Sequence, residues 1–153
     1  MNTFEIAKVM DLSPDFYGVV PCCVIEQFKK YSVVGLIVNT DPHNKPGQHW
    51  VGLYKEGKTL DFFDSFGREI HNFEEPFASI MKDFADGLHV NTNRKQYQDD
   101  LYDTCGQWSY YYILSRICGR NDFSEFTNDT VKNELELDRQ LNYMKDILSV
   151  IDL

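Results

Sequence analysis

The chain has 153 residues, 42% hydrophobic and 14% aromatic, enough for one domain over residues 1–153 with a core that needs no disulfide staples, and too apolar for disorder. Its 24 acidic and 15 basic residues give a net charge of −9, which disfavours nonspecific binding to nucleic acid or to an anionic membrane. No run is long and apolar enough to cross a bilayer, and Met1-Asn2-Thr3-Phe4-Glu5 lacks the basic and apolar regions of a signal peptide.

From Asn2 to Phe28 short apolar pieces alternate with Pro14, Gly18 and Pro21, and no element is assigned. Val33-Val34-Gly35-Leu36-Ile37-Val38 is β-branched and predicts a buried strand. A loop dense in turn formers follows, Asn39 to Gly47. Two strands flank Glu56-Gly57, and Ser65-Phe66-Gly67 reads as a turn. Glu75-Pro76 begins a helix with Phe77, Ile80, Met81 and Phe84 on one face and Gly87 at its end. Leu88 to Thr92 predicts a short strand, Asn93 to Asp103 a polar loop, and Cys105 to Ile117 a helix apolar on nearly all sides. From Asp129 to Ile151, apolar residues at helical spacing predict one or two packing helices without chemistry.

The hairpin carries the first chemical candidates. With Glu56-Gly57 as a two-residue loop, Lys55 pairs with Lys58, Leu53 with Leu60, Val51 with Phe62 and His49 with Asp64. Alternation then puts His49, Val51, Leu53, Leu60, Phe62 and Asp64 on one side. Opposed residues have Cβ atoms about 4.5–5.5 Å apart, close enough for an imidazole–carboxylate bond. The rival acid, Asp61, faces Gly52 on the other side in this register.

Cys105 is the candidate nucleophile. With Asp103 or Thr104 as N-cap it lies in the first turn of its helix, where unpaired N–H groups favour a thiolate. Gly106 lets substrate approach the sulfur closely. Gln98, on the loop ahead of the helix, is placed to hold an oxyanion together with the Cys105 N–H, with Gln96 and Gln107 as competitors. Cys22, Cys23 and Cys118 read as small buried hydrophobes. His43, His71 and His89 read as surface or supporting residues. The cysteines lack CxxC and zinc-ligand spacing, so no metal is expected and a reducing intracellular compartment is.

The blocks Asn39-Thr40-Asp41, Gly47-Gln48-His49-Trp50-Val51, Phe63-Asp64-Ser65-Phe66-Gly67, Gln98 and Cys105-Gly106 together resemble the adenovirus-type (adenain-like) maturation cysteine proteases, found also in virophages and related DNA transposons. Ubiquitin-like-protein deconjugases share the same residue order and fold. The resemblance implies an α+β fold, a mixed sheet packed on the nucleophile helix. It assigns His49 as general base, Asp64 as its orienting acid, Cys105 as nucleophile, Gln98 with Cys105 as oxyanion hole, and Trp50 as packing beside the histidine. It further implies a monomeric endopeptidase that cleaves viral capsid and core precursors at small-residue motifs in the host cell or virion; the alternative is a deconjugase. Relatives take a disulfide-held peptide and DNA as activators. Between Cys23 and Cys105 this chain has no cysteine, and its charge is acidic, so neither activator nor any other cofactor is expected.

Overall fold

A computed structural model describes residues 15–41, 49–100 and 104–117. Most of the loop after Asn39, Asp103, Cys118 and the expected tail helices fall outside the described residues. The elements are β1 (Phe16–Pro21), a 3-10 helix (Cys22–Phe28), β2 (Val33–Asn39), β3 (Trp50–Glu56), β4 (Thr59–Phe63), a short 3-10 turn (Ile70–Asn72), α1 (Phe77–Ala85), β5 (His89–Thr92) and α2 (Cys105–Ile117). The strands form one sheet in chain order, β1 to β5. Its outer pairs are parallel and its inner pairs antiparallel.

Both faces of the sheet are covered. On one, Leu36, Val38, Val51, Leu53, Leu60 and Phe62 meet Phe77, Met81 and Phe84 of α1. On the other, Ile37, Trp50 and Phe63 meet Trp108, Tyr112 and Ile113 of α2. Burial from two sides explains why β2 is a continuous apolar run rather than an alternating one. The α1 residues recur at i, i+4 and i+7, and each fully buried side chain contributes about 1.5–3 kcal/mol over its exposed state. Ile80 sits at the margin of that face, partly buried. Cys22 is buried as expected, whereas Cys23 is exposed.

The hairpin register differs from the expected one by two residues. Glu56 pairs with Thr59, Lys55 with Leu60, Tyr54 with Asp61, Leu53 with Phe62 and Gly52 with Phe63. The loop is therefore Gly57-Lys58, not Glu56-Gly57, and Lys55 does not face Lys58. The cause lies in the turn. Gly57 has φ +59 and takes the first central position, where a type II′ hairpin needs a positive φ that Glu56 would adopt only with strain. His49 and Asp64, just outside β3 and β4, are consequently diagonal neighbours and not directly opposed. Asp61 faces Tyr54 instead of Gly52. A shift of two leaves every side chain on its expected face.

Candidate active site

His49 immediately precedes β3 and Asp64 immediately follows β4, so both lie at one end of the sheet. Nε2 of His49 is 2.6 Å from Oδ1 of Asp64, and a carboxylate only accepts, so Nε2–H is the donor. Cys105 lies beside the same ring, near enough to favour its charged form. With Nε2 committed to Asp64, Nδ1 is the nitrogen left to serve the sulfur. Burial opposes a charge on His49, but Asp64 and Cys105 outweigh it and raise its pKa from 6.5 to about 9. Burial pushes the Asp64 carboxyl up, and the bonds from His49 and Arg68 pull it down further, to a net lowered value.

Cys105 is the first residue of α2 and is 2% exposed. Thr104 takes the N-cap position, its carbonyl accepting from the Trp108 N–H at 3.0 Å. Buried Ser109 donates to the Cys105 carbonyl at 2.8 Å and ties the first turn of α2 together. Trp50 packs with Cys105 and Trp108 on the α2 face. The rings against His49 are those of Phe66, stacked at 5.5 Å, and Phe73 at 6.3 Å.

Asp64 begins a turn closed by the Gly67 N–H on its carbonyl at 2.8 Å. Three residues that the sequence does not single out hold this turn. Asn93 clasps the Asp64 backbone, accepting from its N–H at 3.0 Å and donating to its carbonyl at 2.6 Å. Arg68 donates to Oδ2 of Asp64 from its backbone N–H at 3.0 Å and from Nε at 2.9 Å. Ser65 accepts the Tyr97 and Gln98 N–H groups on its carbonyl and donates its hydroxyl to Oε1 of Gln98 at 2.6 Å. The one available sequence signal is the i, i+4 spacing of Asp64 and Arg68.

The Ser65 hydroxyl holds the buried Gln98 amide by its Oε1 end. The Tyr97 ring lies tilted against that of Trp108, with centroids 5.3 Å apart, which seats this segment against the start of α2. Gln96 is engaged within its own loop, donating to the Gln98 carbonyl and to Asp100, and Gln107 is buried in α2. Asp61 is committed on the α2 face, accepting from Tyr112 and Asn91 and paired with Arg116. His71 is exposed beside Glu69, His89 is exposed at the start of β5, and His43 is outside the described residues. Among the described residues, no cluster of three or more His, Cys, Asp or Glu is arranged to hold a metal, and no helix is long and apolar enough to cross a membrane.

No family model matches the chain, and no curated protein does. Among solved structures, a crystal structure of an ASFV protease superposes with a TM-score of 0.61 at 15% identity, over 92% of this chain and 65% of that one. The fold is that of an adenain-like cysteine protease. At this identity the fold alone is shared, and the chain spans about 65% of the length of the ASFV protease. A selenomethionine form of that protease matches at a TM-score of 0.44 and 16% identity over 93% and 57% of the two chains.

Proposed function

We propose that the chain is a cysteine peptidase that hydrolyses peptide bonds through an acyl-thioester. One observation carries the reading: a single imidazole is held by Asp64 at 2.6 Å through Nε2 and lies beside the Cys105 thiol at the start of α2, near enough for the sulfur to favour its charged form. A thiol nucleophile needs that base, and the base needs that carboxylate to fix its tautomer. His49 takes the thiol proton and Cys105 attacks the carbonyl carbon. Gln98 and the Cys105 N–H hold the oxyanion, and His49 then protonates the leaving amine. Water, deprotonated by His49, cleaves the thioester and restores the thiol.

The viral fold neighbour and the sequence resemblance favour viral structural precursors cut at small-residue motifs as substrates, acted on by a monomer in a reducing host compartment or in the virion. Peptide-library profiling of the wild type, Cys105→Ala and Cys118→Ala tests this. The wild type and Cys118→Ala should cleave alike, and Cys105→Ala should be inert. Cleavage that survives Cys105→Ala, or is lost in a folded Cys118→Ala, overturns the assignment. Labelling by one ubiquitin-like vinyl sulfone at low concentration would replace the endopeptidase with a deconjugase.

A further inference from the structure

Asp64 is fully buried and held by two basic side chains. Oδ1 faces His49 at 2.6 Å and takes only a long contact of 3.5 Å from Nη2 of Arg68, whereas Oδ2 receives both the backbone N–H and Nε of Arg68 at 3.0 and 2.9 Å. The guanidinium is itself held, 4.3 Å from the centre of the Phe73 ring and 5.5 Å from that of Phe66. These are the same two rings that flank His49. Arg68, Phe66, Phe73 and His49 therefore form one bracket around the carboxylate, although the Arg68 side chain is 41% exposed. A residue fixed on three sides at the surface end of a buried acid does more than neutralise it.

We propose that Arg68 is a positioning residue for the hydrolysis: by holding Oδ2 of Asp64 it turns Oδ1 to His49 and takes a share of the carboxylate charge, so that the imidazole keeps its proton loosely enough to hand it to the leaving amine. The inference rests on the proteolytic reading. An isolated buried carboxylate would stabilise the imidazolium without competition, and an imidazolium held too tightly is a poor general acid. The burial-opposed bonds that already raise His49 to about 9 show how far that pull extends. Besides Asp64, Cys105 bears on the ring and favours the imidazolium, and Asp41, Glu74 and Glu75 share with His49, Arg68 and Phe73 a cavity of about 340 Å³. Among the described residues lining that cavity Arg68 is the one permanent cation, and it opposes the imidazolium.

The test follows His49 by NMR titration in the full chain, in the wild type, Arg68→Met and Arg68→Lys, beside kcat and KM on a cleaved peptide. Arg68→Met should move the His49 midpoint upward by about half a unit or more and lower kcat about tenfold with KM little changed. Arg68→Lys, which keeps the charge, should return the midpoint to near the wild-type value and recover most of kcat. The proposal is overturned if Arg68→Met titrates at or below the wild-type midpoint, or if Lys rescues neither quantity. Should Arg68→Met unfold, Arg68→Gln provides the same comparison without charge. A wild type that cleaves nothing sinks the proteolytic reading, while the midpoints still decide whether Arg68 loosens the proton on His49.

Discussion

Asp64→Asn keeps the shape of the side chain and removes only its charge and one acceptor. Two donors on Arg68 point at Oδ2 and require an oxygen there. The introduced amide must therefore place its NH₂ group where Oδ1 stood, facing Nε2 of His49. Two donors cannot share that contact, so Nε2 becomes an acceptor and the ring proton moves to Nδ1. That nitrogen serves Cys105, and once protonated without a counter-charge it cannot take the thiol proton. Raising an imidazole from 6.5 to about 9 corresponds to about 3 kcal/mol of preference for its charged form. Losing most of that preference and fixing the wrong tautomer should cut turnover about 10²- to 10⁴-fold, as in hydrolases with an equivalent triad. The assays are kcat/KM on a cleaved peptide and the rate of Cys105 alkylation by iodoacetamide at neutral pH, which needs no knowledge of the substrate. Retention of both within about threefold of wild type, in a protein with an unchanged melting profile, would refute the tautomer argument.

The raised His49 pKa also makes a stability statement. Its contribution is complete below pH 6.5 and fades as pH rises through about 9, so the melting temperature should fall across that window. His49→Gln should flatten the fall, and an equally steep alkaline decline in that variant would assign it to other groups. The lowered Asp64 acts oppositely, its stabilisation being lost only as pH drops below the ordinary carboxylate range. Gly67 has φ +77, and a Cβ there would lie 2.7 Å from the Lys95 carbonyl carbon and 3.0 Å from the Gln96 nitrogen. Backbone cannot swing aside as a side chain can, so Gly67→Ala should cost about 2–4 kcal/mol in urea denaturation, and a loss below about 1 kcal/mol would show that the turn relaxes. Ser65→Ala removes the hydroxyl that orients Gln98 and should lower kcat about tenfold, less than the 10²–10³ expected for Gln98→Ala. In the Gln98→Ala background the Ser65 effect should vanish, and full additivity would mean that Ser65 acts elsewhere.

Elements whose burial is set locally are legible in the sequence. The β2 run, the α1 face and the span of α2 each announce themselves through apolar pattern over a few turns or one strand. β1 does not. It pairs in parallel with β2 across an intervening 3-10 helix, its register breaks between Phe16 and Gly18, and Gly18 sits at φ +130. No period survives such a break. The order of His49, Asp64, Gln98 and Cys105 is visible as a set, while Asn93, Ser65 and Arg68 are not. They act through hydrogen bonds to backbone and carboxylate oxygens across a turn, and a polar residue near a turn has the same sequence signature whether it clasps the turn or faces water.

The hairpin shows which part of such reasoning is robust. The expected register is wrong by two residues, yet His49 and Asp64 meet. Face depends on the parity of position, and a slip of two preserves parity; partner depends on the register itself, and here it changed. A slip of one would have sent Asp64 to the α2 side and brought Asp61 round towards His49. Asp61 instead accepts from Tyr112 and pairs with Arg116, bonds that anchor α2 on the sheet and that the reversed parity would leave unmade. The residual gap between diagonal neighbours is closed by chemistry the strands do not supply: the Asp64–Gly67 turn, the Asn93 clasp on the Asp64 backbone, and a carboxylate whose far oxygen is already held by Arg68. The pairing of acid to base is thus a property of the turn as much as of the sheet. Substitutions at Asn93 or Gly67, neither of which bonds His49, should therefore disturb the His49–Asp64 contact more than substitutions at Val51, the residue that lies directly across from Asp64 when the β3–β4 ladder is continued by one pair.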